Sequence, residues 1–347
     1  MKALSFLNPE KFVAVSYQIF LIVINLGICF YLLDKSAVIS REPAPTVYAI
    51  TSADIQQSGI TAPHMVETGM YIENFQEFDL LNNHFIVSAD VWFKFDPKVI
   101  SLDMIGKFSF DKGEILTMSK PVTKMIGDKL LAEYRVQLKF SASLNHRVFP
   151  TGGYYVYLIL SNTLVSPNDI VFTSSESSFT LSPNLFIEGW KEVGHSITAG
   201  YNKVILDRHD SQTIIYYPMV LFGMDFLHEG MRSIFVIIFP LFILFFIALL
   251  TLSLGPTTSL SLAIELSLGE ITGLLAYRYV IDTLSPKVND FMLSDHVYNL
   301  ILVLSFLIFF FHLSARVRDS NFVRGSLVIS LQVIFIAVMC YLLIFWL

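Results

Sequence analysis

Charge is scarce in this chain. Of its 347 residues only 15% are Asp, Glu, Lys or Arg, while 54% are hydrophobic and 14% aromatic, a balance too apolar for a soluble protein of this length. Cysteine is scarcer still. Cys29 and Cys340 each lie inside an apolar run, far apart, so no disulfide staples the stretch between them and it must fold on its own core. Asn-x-Ser/Thr sequons are absent, which points to a bacterial source rather than a glycosylating secretory pathway. The net charge of −6 leaves no basic footprint for nucleic acid. No HExxH, paired Cys-x-x-Cys, GxSxG, P-loop or GxGxxG occurs, and Gly194-His195-Ser196-Ile197-Thr198 misses the nucleophile pattern at its last position. Nothing supports an enzyme, a cofactor or a metal centre.

Long apolar runs are what the chain does have. Phe12 to Leu33 is uninterrupted, preceded by Lys2 and Lys11 and followed by no convincing small-x-small site; it reads as an uncleaved transmembrane anchor within residues 1–35, with its N-terminus in the cytoplasm. Four more runs, Ile234–Leu254, Ser259–Leu284, Val297–Leu313 and Leu327–Leu347, make a four-helix transmembrane domain over residues 231–347. Arg316, Arg318 and Arg324 between the last two favour a cytoplasmic loop there, whereas Arg278 and Lys287 fall near the outer surface against the rule.

Between anchor and helices the pattern changes. Residues 36–69 are polar and hold Pro43, Pro45 and Pro63, a linker in which Ser52 or Asp54 could cap a short helix. From Met70 the period becomes two, as in FIVSADVWFKFD, AEYRVQLKFSA and YYVYLIL, with turn residues such as Pro150-Thr151-Gly152-Gly153 between runs. Residues 70–230 therefore read as a β-sandwich outside the cytoplasm. The expected class is an α+β membrane protein: an extracytoplasmic antiparallel β-sandwich, a four-helix transmembrane bundle, and one N-terminal transmembrane anchor helix.

The run Ser259–Leu284 is two-faced. Steps of three and four pick out Ser261, Glu265, Gly269, Thr272, Ala276, Tyr279 and Thr283, a stripe of small and polar side chains, while leucine and isoleucine fill most of the rest. Lipid solvates no carboxylate, so the stripe must face protein or intramembrane water. A pore-lining helix has this pattern, and so does a helix that packs its polar side inside a bundle; Gly269 and Gly273 suggest only close helix contact.

The order of a sandwich and four helices, the second one striped, resembles the pentameric ligand-gated ion channel superfamily in its prokaryotic form without the disulfide loop. Ser285-Pro286-Lys287-Val288 looks like the family's loop after the pore helix, and Phe239-Pro240-Leu241 resembles its proline in the first channel helix. Thr68 to Pro97 reads like the first two strands, Arg147-Val148-Phe149-Pro150 like the start of the strand after the Pro loop, and the strand with Trp190 like its late tryptophan strand. The resemblance implies a homo-oligomer, a pentamer, in the bacterial inner membrane with the β-domain periplasmic, bound to the bilayer and to an unidentified small molecule or periplasmic partner. It implies a pore lined by the stripe and a gating loop at Pro286 and Lys287. Departures are also plain: Phe149-Pro150 is followed by Thr151-Gly152 rather than an aspartate, the aromatic Trp-x-Pro strand has no counterpart between Phe108 and Lys139, and His228 stands where the family has arginine.

Several residues keep two readings. Glu265 is a cation filter, a glutamate paired in the bundle, or a ligand or lipid contact. Glu270 is about 140° around the helix from Glu265 by the 100° step and should point between helices; Arg278 and Asp282, four apart, could pair. Trp92 would sit on the complementary face of an intersubunit pocket, with the turn carrying Arg208 and His209 as the flap, or else Trp92 is a sheet-face residue and the turn a solvated hairpin tip. The functional expectation is a cation-conducting channel gated by a periplasmic ligand or pH; the alternative is a non-conducting binding or assembly protein on the same fold. A transporter relaying through Glu265 and Glu270 is weaker, because four helices without an internal repeat seldom suffice.

Overall fold

A computed structural model describes residues 9–35, 39–40, 46–48, 64–80, 82–142, 144–166, 169–205, 214–228, 232–253, 260–314 and 320–345. The chain divides into two compact units: a helical unit of Met1–Val38, His146–Gly152 and Gly230–Leu347, and a β unit of Ile39–Asn145 and Gly153–Glu229. The possible helix capped by Ser52 or Asp54, the turn holding Arg208 and His209, and Arg316 and Arg318 lie outside the described residues.

Among the described residues the β unit has twelve strands. In order they are β1 (Ile39–Ser40), β2 (His64–Asp79), β3 (His84–Phe95), β4 (Ser109–Phe110), β5 (Gly113–Met118), β6 (Val122–Ile126), β7 (Lys129–Ser141), β8 (Gly153–Ser161), β9 (Ile170–Thr173), β10 (Phe179–Leu181), β11 (Trp190–Ile205) and β12 (Ile214–His228), with short helical turns at Leu102–Ile105 and Glu176–Ser178. One sheet runs β1-β8-β12-β11 with β4 also on β8; the other runs β10-β2-β3-β7-β5 with β6 on β7 and β9 on β2. Period-two patterning builds the core directly. Along β3, Phe85, Val87, Ala89, Val91, Phe93 and Phe95 are buried while the alternate residues are partly exposed, because successive strand side chains point to opposite faces. Facing them from the other sheet are Val156, Leu158 and Leu160 of β8 and Val220, Phe222, Met224 and Phe226 of β12, all in the same apolar cluster.

Two expectations need correction. The sandwich is not purely antiparallel, since β1 pairs parallel with β8 and both β9 and β10 pair parallel with β2. β9 and β10 are successive pieces of one stretch that follows the β2 edge in a single direction, so both take the same sense. The stretch read as a linker also carries structure: β2 begins at His64, β1 lies at Ile39–Ser40, and Tyr48 bridges Tyr201.

The helical unit holds α1 (Pro9–Lys35), α3 (Arg232–Ile237), α4 (Phe239–Ser253), α5 (Leu260–Leu284), α6 (Leu293–Leu313) and α7 (Asn321–Phe345), α2 being the short turn at Leu102–Ile105 in the β unit. Among the described residues, five stretches are long and apolar enough to cross a membrane: Ser16–Leu33, Arg232–Leu252, Leu260–Leu284, Leu293–Leu313 and Asn321–Ile344. The N-terminal helix is more than a tether. Ile22, Cys29 and Leu33 join the bundle's buried apolar cluster, Phe30 stacks on Phe235 at 5.0 Å between ring centroids, and Asn25 donates to Gln332 on α7 at 3.3 Å.

Breaks and ends have local causes. α3 and α4 are separate because Pro240 has no N–H to give the carbonyl four residues back; that carbonyl, on Val236, accepts instead from the Tyr277 hydroxyl on α5. α7 starts earlier than its apolar run, since Ser320 caps it by accepting from Val323 N at 3.3 Å. Arg324 is consequently inside the helix and buried, not in a loop.

Candidate pore-lining helix

α5 carries the candidate site, and its two faces are sharply divided. Ala263, Ser267, Glu270, Ile271, Leu274 and Ile281 are the buried residues of the helix. All seven stripe residues, Ser261, Glu265, Gly269, Thr272, Ala276, Tyr279 and Thr283, are exposed. By the 100° step the centres of the two sets lie about 180° apart. The stripe therefore points away from the other described helices of its own chain. Exposed Leu262, Leu266 and Val280 flank it on one side, Leu268 and Leu275 on the other.

Local chemistry fits that orientation. Thr272 donates to Leu268 O and Thr283 to Tyr279 O, each at 2.8 Å, so these hydroxyl hydrogens are satisfied on the helix itself while the oxygens stay presented outward. Gly269 has nothing within 4 Å of a would-be Cβ, whereas at Gly273 the nearest atom is Leu244 Cδ2 at 3.6 Å. Only the second glycine of the pair faces a helix of its own subunit. Among the described residues, no ion pair reaches Glu265. Tyr279 is 77% exposed.

The opposite face is tied down. Glu270 is buried and accepts from Ser305 Oγ on α6 at 2.7 Å, between helices as its position around α5 predicts. Arg278 pairs with Asp282 at 2.9 Å, as the four-residue spacing predicts, and also with Asp295 on α6. The guanidinium lies 5.4 Å from the centroid of the Tyr298 ring. Asp295 in turn accepts from Met292 N at 2.9 Å at the start of α6.

The α6 N-terminus has a second clamp. Leu293 N donates to Arg147 O at 2.8 Å and Ser294 N to Phe149 O at 3.2 Å, which satisfies helix-end donors that have no partner within the helix. The loop His146–Gly152, with its cis Phe149–Pro150 peptide, thus belongs to the helical unit although it sits in sequence between two strands. His146 is buried there, and burial pulls its imidazole down to about 4. After α5, Val288 N closes on Pro286 O at 3.0 Å; Pro286 is buried and Lys287 exposed.

Of the residues proposed for a ligand, Trp92 lies among the described residues. Trp92 lies over Gly69, where an added Cβ would sit 2.2 Å from the indole; the ring occupies the space that glycine leaves. Arg208 and His209 are outside the described residues. His228 packs edge-on to Trp190 at 4.8 Å. Sequence reading missed Ser305 and Asp295 as partners of α5, and Tyr277 of α5 as the donor to Val236 O. The only available signals were a lone serine in an apolar run, an acid at a helix start, and the proline that frees Val236. No family model matches the chain, and no curated protein matches it.

Proposed function

We propose that this chain is a subunit of a homopentameric channel of the ligand-gated type, cation-conducting, with α5 lining the pore. The observation that carries the reading is the outward stripe: a span-length helix presents Glu265, two threonines and a serine on the face opposite its own bundle. A carboxylate there needs water or a polar partner rather than lipid. A symmetric ring supplies both, placing the stripe on a wet axis and the flanking leucines against neighbouring subunits. In this reading it is a bacterial inner-membrane protein with the β unit in the periplasm and the N-terminus of α1 in the cytoplasm, gated by a periplasmic ligand or by pH; five span-length helices support the membrane part. The clamp of Arg147 and Phe149 on the α6 N-terminus is a route by which a loop between two strands bears on the bundle.

A second reading, a non-conducting binding or assembly protein on the same fold, draws on Trp92 covering Gly69 and on the missing aromatic strand. Ion flux through purified protein in liposomes separates them. Sodium flux exceeding chloride flux, with the preference reduced about tenfold in Glu265→Gln at unchanged thermal stability, is the expected result. Absence of flux from assembled, inserted protein at every pH tested would replace the channel by the second reading.

A further inference from the structure

The β unit contains a cavity that the pore does not use. It has a volume of about 410 Å³ and lies between the loop after β10 and the first residues of β11, lined by Leu185, Phe186, Trp190, Glu192, His195 and Phe226 among others. That volume falls inside the roughly 300–1,000 Å³ range of small-molecule sites. We infer that this cavity binds a small organic ammonium compound with an apolar body, the nitrogen on Glu192 and the body against Phe186, Trp190 and Phe226.

Three features support the assignment. First, the walls are aromatic and held in place: Trp190 packs on Tyr154 at 5.4 Å and edge-on to His228 at 4.8 Å, and Phe226 is fully buried. An ammonium group is drawn to such ring faces. Phe186, by contrast, is 81% exposed at the rim, where an apolar ligand would cover it. Second, the acid is fixed. Glu192 Oε1 lies 3.1 Å from His195 Nδ1, and the Glu192 side chain is only 29% exposed. One such contact leaves a carboxylate with acceptor capacity for a ligand N–H. Third, the strand is irregular at this spot, with a register shift between Glu192 and Gly194 against β12. Bulges re-aim side chains, and here the extra residue sets Glu192 and His195, three apart, opposite Phe226 and Met224, two apart on β12, so that both share one face and line the cavity.

Lys191 is the competing feature, since a cationic side chain on the lining could instead select an anion. Charge therefore decides the test. Full-length protein in detergent is titrated with 2-phenylethylamine, 2-phenylethanol and 3-phenylpropionate, and binding is followed by calorimetry. The amine should saturate one site per chain and bind at least about tenfold more tightly than the alcohol or the acid, because a charged hydrogen bond separates them. Glu192→Gln should lower amine affinity about tenfold, and Phe186→Ala, at an exposed position that tolerates truncation, several-fold. Circular dichroism and gel filtration confirm that both variants fold. An acid that binds as tightly as the amine, an unchanged Glu192→Gln variant, or no saturable amine binding up to about 10 mM would each overturn the assignment. The inference stands whether or not the assembly conducts.

Discussion

Glu265 and Glu270 are five residues apart on one helix and live in opposite surroundings. Glu265 is exposed on the stripe and no ion pair reaches it among the described residues; Glu270 is buried and receives a hydrogen bond from Ser305 on the next helix. The contrast separates two jobs that one amphipathic helix must do. Its inner face holds the subunit together through close packing and a few satisfied polar groups, since lipid supplies no hydrophobic drive between helices. The outer face is released from that duty, and under the proposed channel reading it carries side chains chosen for what passes along them.

The contrast breaks most cleanly at adjacent leucines. Leu274 is fully buried and Leu275 is 55% exposed in the single chain, so Leu274→Ala should cost about 2–5 kcal/mol of stability and Leu275→Ala within about 0.5 kcal/mol, read from thermal unfolding of the dissociated chain in detergent. Equal losses would mean that the outer face also packs within the subunit.

Burial can be probed by pH outside the membrane. His146 has its imidazole pulled down to about 4 by burial, below an unfolded value near 6.5. The unfolded chain then binds the proton first, so this contribution is fully present above about pH 6.5, falls as pH drops toward 4, and levels off below it, with a total on the order of 3 kcal/mol. His146→Gln should flatten the profile over that window; a wild-type stability that does not decline across it would contradict the burial.

Ser305→Ala removes the donor to Glu270 and should destabilise by about 1–3 kcal/mol, in contrast to Glu265→Gln, which should leave stability unchanged. The smallest effect belongs to Thr272→Val. Its hydroxyl hydrogen already goes to Leu268 O, so stability should move by less than about 0.5 kcal/mol while conductance registers the lost oxygen. A large loss of stability would place Thr272 in a packed interface inside the subunit.

Much of the architecture was legible because it rests on periodicity. Alternation in β3 and the apolar runs of the helices are repeated signals, each residue reinforcing the next. The parallel addition of β9 and β10 to β2 was not legible, because short strands of three and four residues carry too few residues to reveal their partner. The same holds for the stripe. Spacing placed seven residues on one side of α5, yet it could not tell an outward face from an inward one, since both are polar sides of an amphipathic helix.

By itself the sequence determined that the chain has spans and a β-rich domain, that Glu265 and Glu270 diverge around one helix, and that Arg278 can reach Asp282. These follow from chain length, hydropathy and the helical and strand periods, which are local properties. Tertiary structure alone decided which side of α5 is buried, that Tyr277 serves the carbonyl Pro240 frees, that loop His146–Gly152 clamps the start of α6, and that Glu192 and His195 meet beside Trp190. Each joins groups whose approach depends on how whole elements pack, and no local pattern encodes that distance.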